Sequence, residues 1–421
     1  MKTIYILLLC TWLPLAGWAQ VKQTVSLTDY LKEVSAKNLA FAAEKLNLSI
    51  AEANVRAAKV FNDPTLSVEY ANNDDHRIQM GQGYSVGLSR TFAPGKRGAG
   101  IRLARSEKEL TAALLDDYFR TLRAEAVTAY MEAIKQRKLY EVKLSSYQSI
   151  LELAKADSIK FALGKITEVD ALQSRVEAGV SHNELMQAES ELARSYAALY
   201  IPLGTFNADT LFVPAGGLDL TPRTRPLTEW LEQALDNRAD LVAALKNVDV
   251  AQRALQLARR ERLPEFDLAL GYNYNTEVRN ELAPAPSFSG VTMGISFPLK
   301  FSALNRGAVR SARYKQEQAE QLAQQAALEV QTEVVQNHQT YLSLCAQVAR
   351  FKAGLLDKAE AVLTGKIYSY NRGETSLLEV LNAQRTYNEV QTLYIETQFD
   401  HTASLVALEK SAGLWDVEQK E

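Results

Sequence analysis

The sequence predicts a mainly α-helical chain with a few β-strands, built as a tandem repeat of helix, two strands and a long coiled-coil hairpin. Three observations carry that prediction. One is self-similarity: Leu27-Thr28-Asp29-Tyr30-Leu31 matches Leu227-Thr228-Glu229-Trp230-Leu231 at an offset of 200, which Pro64 and Pro264 keep. From Arg97 and Arg306 onward the offset becomes 209, through Gly164 with Gly373, Leu172 with Leu381 and Gly204 with Gly413. The nine extra residues of the second copy belong in a loop between Pro264 and Arg306. The second observation is a turn that occurs twice, and the third is a switch of hydrophobic period within each copy.

The turn reads Leu163-Gly164-Lys165-Ile166-Thr167-Glu168-Val169-Asp170 in one copy and Arg372-Gly373-Glu374-Thr375-Ser376-Leu377-Leu378-Glu379 in the other. Glycine suits the left-handed position that ends a helix. Thr167 or Ser376 then caps the next helix, and Asp170 or Glu379 stands where a capping box closes.

Taken in order, each copy opens with one helix, from about Ser26 to Phe61 and from about Leu227 to Arg262. Past the proline the period falls to two. Leu66, Val68 and Tyr70 alternate with small or polar residues, as do Tyr84, Val86 and Leu88. In the second copy the apolar sets are Phe266, Leu268, Leu270, Tyr272, Tyr274 and Val291, Met293, Ile295, Phe297. These are strands with one apolar face, at about 64–72, 83–93, 264–275 and 287–299. The pattern suits a half-buried soluble hairpin and equally a lipid-facing barrel with a wet interior.

A long helix follows: no glycine or proline interrupts Ile101–Leu163, and Tyr140, Leu144, Tyr147, Leu151 and Ala154 form a seam. The return helix runs to about Ala198. The second copy repeats this from Val309 to Asn371 and from Leu377 to Ala412, with Gly354 and Gly365 softening the first arm. Domain bounds are 20–204 and 226–413 for the copies, 205–225 for the link and 414–421 for a C-terminal tail.

Residues 1–19 read as a secretory signal, with a basic start, an apolar run and small residues before Gln20. Leu9 is not the small residue a lipoprotein site at Cys10 needs. Cleavage leaves Cys345 alone, packed as a small apolar side chain and without a disulfide partner. No later apolar run reaches the roughly 18 residues of a spanning helix, so the exported product is soluble or crosses a membrane by strands. Net charge is −3, or −4 without Lys2, which implies no nucleic-acid partner.

No catalytic constellation, cofactor loop or metal-ligand spacing is present, so an enzyme is not expected. His76, His182, His338 and His401 are scattered and read as surface or helix-face residues.

The order of elements, with Tyr370-Asn371-Arg372-Gly373 through Ser376-Leu377-Leu378-Glu379-Val380-Leu381-Asn382-Ala383 and on to Ser411-Ala412-Gly413, resembles the outer-membrane factors, the TolC family of efflux channels. The resemblance implies a homotrimer, with a shared transmembrane β-barrel in the outer membrane above a periplasmic α-barrel. It implies a passive duct that docks a periplasmic adaptor and an inner-membrane pump of resistance-nodulation or ABC type. Leu163, Gly164, Lys165, Arg372, Gly373 and Glu374 become the adaptor-contact tips. Asp170, Tyr370, Thr375, Glu379 and Asn382 become the periplasmic entrance: Glu379 falls on an acidic ring, Asn382 where a second acid stands in the best-known member. Thr375 replaces the basic partner of the lock, which leaves that lock weaker or differently wired. The junction Phe92-Ala93-Pro94-Gly95-Lys96-Arg97 resembles the CzcC-like heavy-metal branch, against drug efflux or type I protein secretion. A different class, a periplasmic coiled-coil adaptor or scaffold, shares the long hairpins but usually carries only one.

Overall fold

The computed structural model describes residues 21–75, 78–206, 209–218, 223, 225–298 and 304–415. The expected signal segment, His76, Leu299 and the tail beyond Trp415 lie outside the described residues. The first copy contains β1 (Val21–Val25), α1 (Leu27–Lys37), α2 (Leu39–Ala58), β2 (Thr65–Asn72), β3 (Gln82–Phe92), α3 (Lys96–Ala162), α4 (Glu168–Ala198), the short α5 (Tyr200–Leu203) and β4 (Thr210–Pro214). The second contains α6 (Leu227–Asn237), α7 (Ala239–Arg260), β5 (Phe266–Asn275), β6 (Phe288–Ser296), α8 (Leu304–Arg350), a π-helical turn (Phe351–Leu355), α9 (Leu356–Asn371) and α10 (Leu377–Ser411).

The first helix of each copy is two helices, not one. Asn38 leaves helical geometry at ψ 118°, its carboxamide oxygen accepts from Phe41 N at 2.7 Å, and its amide donates to Pro202 O at 2.7 Å. Arg238 makes the equivalent break, holding Asp240 by paired hydrogen bonds and donating to Ser411 O at 3.2 Å. Pro202 and Ser411 are themselves equivalent at the 209 offset. Each break thus receives the end of its own return helix. Gly204 and Gly413 close those ends with positive φ, and a Cβ on Gly204 would stand 2.7 Å from Leu39 N. Tertiary contact overrides a helical pattern that is continuous in sequence.

The link between copies is also more ordered than its composition suggests. β1 and β4 pair in parallel, Val21 opposite Thr210 through Val25 opposite Pro214. Tyr130 OH lies 2.8 Å from the carbonyls of Val25 and Ala215, and Arg137 donates to Pro214 O and Gly216 O. This two-stranded patch covers the largest buried cluster, with Tyr30, Val127, Tyr130, Ile134, Leu199 and Leu203. A second cluster, built on Trp230, Val334, Tyr341 and Leu408, repeats it in the other copy and takes Cys345 against its edge, as a small apolar residue would pack.

The other four strands form one antiparallel sheet in the order β2-β3-β5-β6. Its register decides the question the alternation left open. Leu66, Leu88, Leu270 and Met293 lie in one cross-strand row, and Val68, Val86, Tyr272 and Val291 in the next. The opposite face carries Ser67, Gly87, Gly271 and Thr292. Among the described residues nothing covers the apolar face: Val68 is 71% exposed and Met293 76%. Tyr70 and Tyr84 pack together at one end of it, and Phe92, Phe266 and Phe297 at the other, with centroids 5.2 to 6.2 Å apart. An outward apolar band between aromatic rows is the signature of a lipid-facing strand set. Among the described residues β2 and β6 are open edges. Among the described residues, no helix is long and apolar enough to cross a membrane.

Below the sheet α3 runs unbroken for 67 residues, roughly 100 Å at 1.5 Å per residue. Away from the sheet the helices lie in the order α4, α3, α10, α9. The predicted seam is only partly buried: Ala154 is buried as expected, but Tyr140, Leu144, Tyr147 and Leu151 are half-buried, while Ser146, Ile150 and Asp157, outside that seam, are buried. The reason is that α3 packs on α4 with one side and α10 with the other. Ile150 and Ala154 meet Ala178 of α4, and Ser146 accepts from Asn388 of α10 at 2.6 Å. In the second arm Gly354, at φ +96°, marks the π-helical turn, while Gly365 sits inside α9 without a break.

Candidate functional site at the hairpin tips

Both tips close with the same backbone device. Lys165 N donates to Lys160 O at 2.9 Å and Gly164 N to Phe161 O at 2.8 Å. Glu374 N to Ser369 O and Gly373 N to Tyr370 O, at 2.9 and 3.0 Å, repeat that pair of bonds. These are Schellman closures around glycines at φ +69° and +79°. The tips project into solvent: Leu163 is 66% exposed, Lys165 is exposed, and Arg372 bridges Glu374 at 3.0 Å while donating to Tyr368 OH at 2.8 Å. Gly164, Lys165, Asp170, Tyr370, Arg372, Gly373 and Thr375 line one cleft, so the fold sets the two tips side by side.

The capping boxes form only in part. Thr167 Oγ1 accepts from Asp170 N at 3.2 Å and donates to the Asp170 carboxylate at 2.7 Å. Ser376 makes no side-chain cap. Its expected partner Glu379 turns away to Lys366, 2.5 Å across the hairpin, and that ammonium holds the carboxyl below the usual glutamate range. This cross-helix ion pair draws the carboxylate away from the backbone it was expected to cap. Asn382 is exposed one turn further along α10 and lines the same groove as Lys366 and Glu379.

Tyr370 pairs with a residue the sequence reading missed. Its hydroxyl donates to Asp157 Oδ1 at 2.8 Å, and Asp157 is fully buried. Burial first, then the Asp157 carboxylate, pushes the Tyr370 phenol well above its ordinary value. Asp170 bears on Tyr370 only through its charge. Thr375, half-buried beside this group, supplies no cation. Lys160 does: its Nζ lies 4.0 Å over the Tyr370 ring, 3.7 Å from Asp157 and 3.4 Å from Asn371 Oδ1. The repeat held a signal for this. Asp157 and Lys366 are equivalent at the 209 offset, an acid in one copy and a base in the other, and both enter the tip networks.

The described histidines all lie on helices, but two of the helix faces are buried. His182 is exposed against Tyr147, but His338 is 8% and His401 only 3% exposed; His401 stacks on Tyr341 with 5.3 Å between centroids. Burial lowers the His401 imidazole. Helix α10 inserts between α3 and α8, which hides a face that looked peripheral in sequence. Among the described residues, no group of three His, Cys, Asp or Glu side chains is placed to hold a metal ion.

Residues 230–414 match the family profile described as outer membrane efflux protein. The chain is 27% identical over 363 residues to the cobalt-zinc-cadmium resistance protein CzcC of Cupriavidus metallidurans, covering 85% of this chain and 82% of that protein. It is 24% identical to the outer membrane protein TolC of Vibrio cholerae, across 76% of this chain and 69% of TolC. Among solved structures it superposes on CusC with TM-score 0.75 at 17% identity, covering 96% of each chain. It matches the CmeC outer membrane channel of Campylobacter jejuni with TM-score 0.76 at 15% identity, over 92% of this chain and 85% of that one. Profile, relatives and fold agree with an open-edged sheet bearing one apolar face above paired helical hairpins: the chain is similar to the outer-membrane factor family of TolC-type efflux channels.

Proposed function

We propose that this chain is the exit duct of a tripartite efflux system, assembled as a homotrimer in the outer membrane. One observation carries the reading: a four-stranded sheet with an apolar outer face and, among the described residues, two unpaired edges continues directly into helical arms about 100 Å long. A strand set with open edges cannot span lipid alone, because its edge amides and carbonyls would go unsatisfied. Three copies joined edge to edge remove every edge and give each hairpin a neighbour on both sides. The inner wall is then lined by the small and polar face, wide enough for passive passage. Members of this family are channels, and the chain acts by opening rather than by turnover.

The tips Leu163, Gly164, Lys165, Arg372, Gly373 and Glu374 are the surface offered to a periplasmic adaptor, which couples the duct to an inner-membrane pump. Glu379, three residues from Asn382 on α10, supports a role in the entrance, with Lys366 restraining it. Asp157, Tyr370 and Lys160 hold α9 against α3 and keep the entrance shut. The likeness to CzcC favours divalent heavy-metal cations as cargo. Likeness to the proteases secretion protein PrtF of Dickeya chrysanthemi, 23% identical, keeps protein export as the second reading.

The assembly is tested by fractionation: a heat-resistant trimer in the outer-membrane fraction is expected, and salt-extractable protein would sink the proposal. For the entrance, Glu379→Ala is expected to lower the cation preference of single channels in planar bilayers. Deleting the gene is expected to sensitise cells to cobalt, zinc or cadmium, whereas an isolated secretion defect would favour the second reading.

A further inference from the structure

Where the strands meet the helices, the outward face changes from apolar to basic. Arg90 continues the outward row of β3 that holds Tyr84, Val86 and Leu88, one step beyond the last aliphatic pair. Its guanidinium lies 5.1 Å from the Phe61 ring centre and 5.5 Å from that of Phe92. Arg97, from the first turn of α3, covers the same Phe61 ring at 3.7 Å and donates to Lys59 O at 3.0 Å. Two guanidinium groups therefore crowd one exposed ring, and neither forms an ion pair among the described residues. They line a cleft of about 590 Å³ together with Val60, Phe92 and Lys96. Glu261 and Glu265 are the acids of that cleft, and Lys96 neutralises Glu265 at 3.1 Å. Over 56–63, 90–102 and 259–265, nine Lys and Arg face three Asp and Glu, in a chain whose net charge is −3.

We propose that this cleft binds the headgroup of an anionic glycerophospholipid in the periplasmic leaflet of the outer membrane. The inference rests on the outer-membrane reading, which sets the Phe92, Phe266 and Phe297 row at the lower hydrocarbon boundary. A phosphate there bridges Arg90 and Arg97 and relieves their mutual repulsion. The acyl chains lie along the apolar row of β3 while Phe61 and Val60 pack against the glycerol region. Basic pockets at this depth recognise anionic headgroups, and each cation contributes enough for about a five-fold change in affinity. The pocket belongs to the first copy: the position equivalent to Phe61 is Glu261.

The test uses the full chain purified in detergent, exchanged against phosphatidylglycerol or phosphatidylcholine and washed, with retained lipid counted by mass spectrometry. Preferential retention of phosphatidylglycerol is expected, falling about five-fold in Arg90→Gln and largely kept in Arg90→Lys. Equal retention of the two lipids, or an unchanged preference in Arg90→Gln, overturns the proposal. Displacement of phosphatidylglycerol by inorganic phosphate alone overturns it too, assigning the cleft to free phosphate. Planar-bilayer insertion of the same preparations separates the two levels. Channels without lipid preference sink only the lipid site, and loss of channels sinks the outer-membrane reading beneath it.

Discussion

The two hairpins share a turn and differ in almost everything that restrains it. In the first, α3 is continuous, Thr167 caps α4, and Asp170 is satisfied within its own turn. In the second, a π-helical turn interrupts the arm, Ser376 caps nothing, and Glu379 reaches across to Lys366. At equivalent positions stand Asp157, buried and bonded to the other hairpin, and Lys366, half-exposed and bonded within its own. The first copy is therefore the more restrained of the two at its tip, and the second carries the break in its arm. A duplicated segment keeps the backbone device that both copies need, while side chains that meet other helices diverge.

The comparison is broken most severely at the glycines. Gly204→Ala combines a left-handed backbone with a Cβ 2.7 Å from Leu39 N and is expected to cost about 3 kcal/mol or more. Gly164→Ala meets nothing within 4 Å and is expected to cost only about 1–2 kcal/mol of backbone strain. Thermal midpoints of the detergent-solubilised protein should therefore rank Gly204→Ala well below Gly164→Ala. Equal losses would show that the break at Asn38 is not held by its return helix.

Next in size is Tyr370→Phe. It strips the hydroxyl donor from a fully buried carboxylate, a loss of about 1–3 kcal/mol. Single-channel conductance in planar bilayers is expected to rise as α9 comes away from α3. Lys160→Met should act in the same direction but less, because its contacts are longer.

The capping asymmetry predicts a smaller contrast. Thr167→Ala should cost about 1 kcal/mol, the usual worth of an N-cap, and Ser376→Ala close to nothing. Limited proteolysis at the two tips reads both, and equal sensitivity of the two variants would erase the distinction drawn between the hairpins.

The smallest effect is a pH displacement. Lys366 depresses the Glu379 carboxyl, so the charged pair is complete above the ordinary glutamate range and is lost only as pH falls through the lowered value. Cation preference should persist below the ordinary glutamate pKa in the native chain. In Lys366→Met the same loss is expected at higher pH. Superimposable pH profiles for the two proteins would remove Lys366 from the entrance.

The tips were legible because glycine at a left-handed helix end is a local rule, and local rules survive without context. The four strands of the larger sheet were legible to within two or three residues for the same reason, since period two is written along the chain. Local reasoning stopped where two distant segments meet. It ran straight through Asn38 and Arg238, where each first helix turns to receive its return helix. It assigned Glu379 to its own backbone, and it passed over Asp157, whose meaning depends on Tyr370 more than 200 residues later.

By itself the sequence determined the duplication, the order of elements, the alternating strands and the two turns, because periodicity and backbone chirality act within a few residues. Only the tertiary structure decided that four strands from two copies share one sheet with a single apolar face, and which charges are paired at the hairpin tips. Register and ion pairing depend on which distant side chains meet, and no local pattern encodes that.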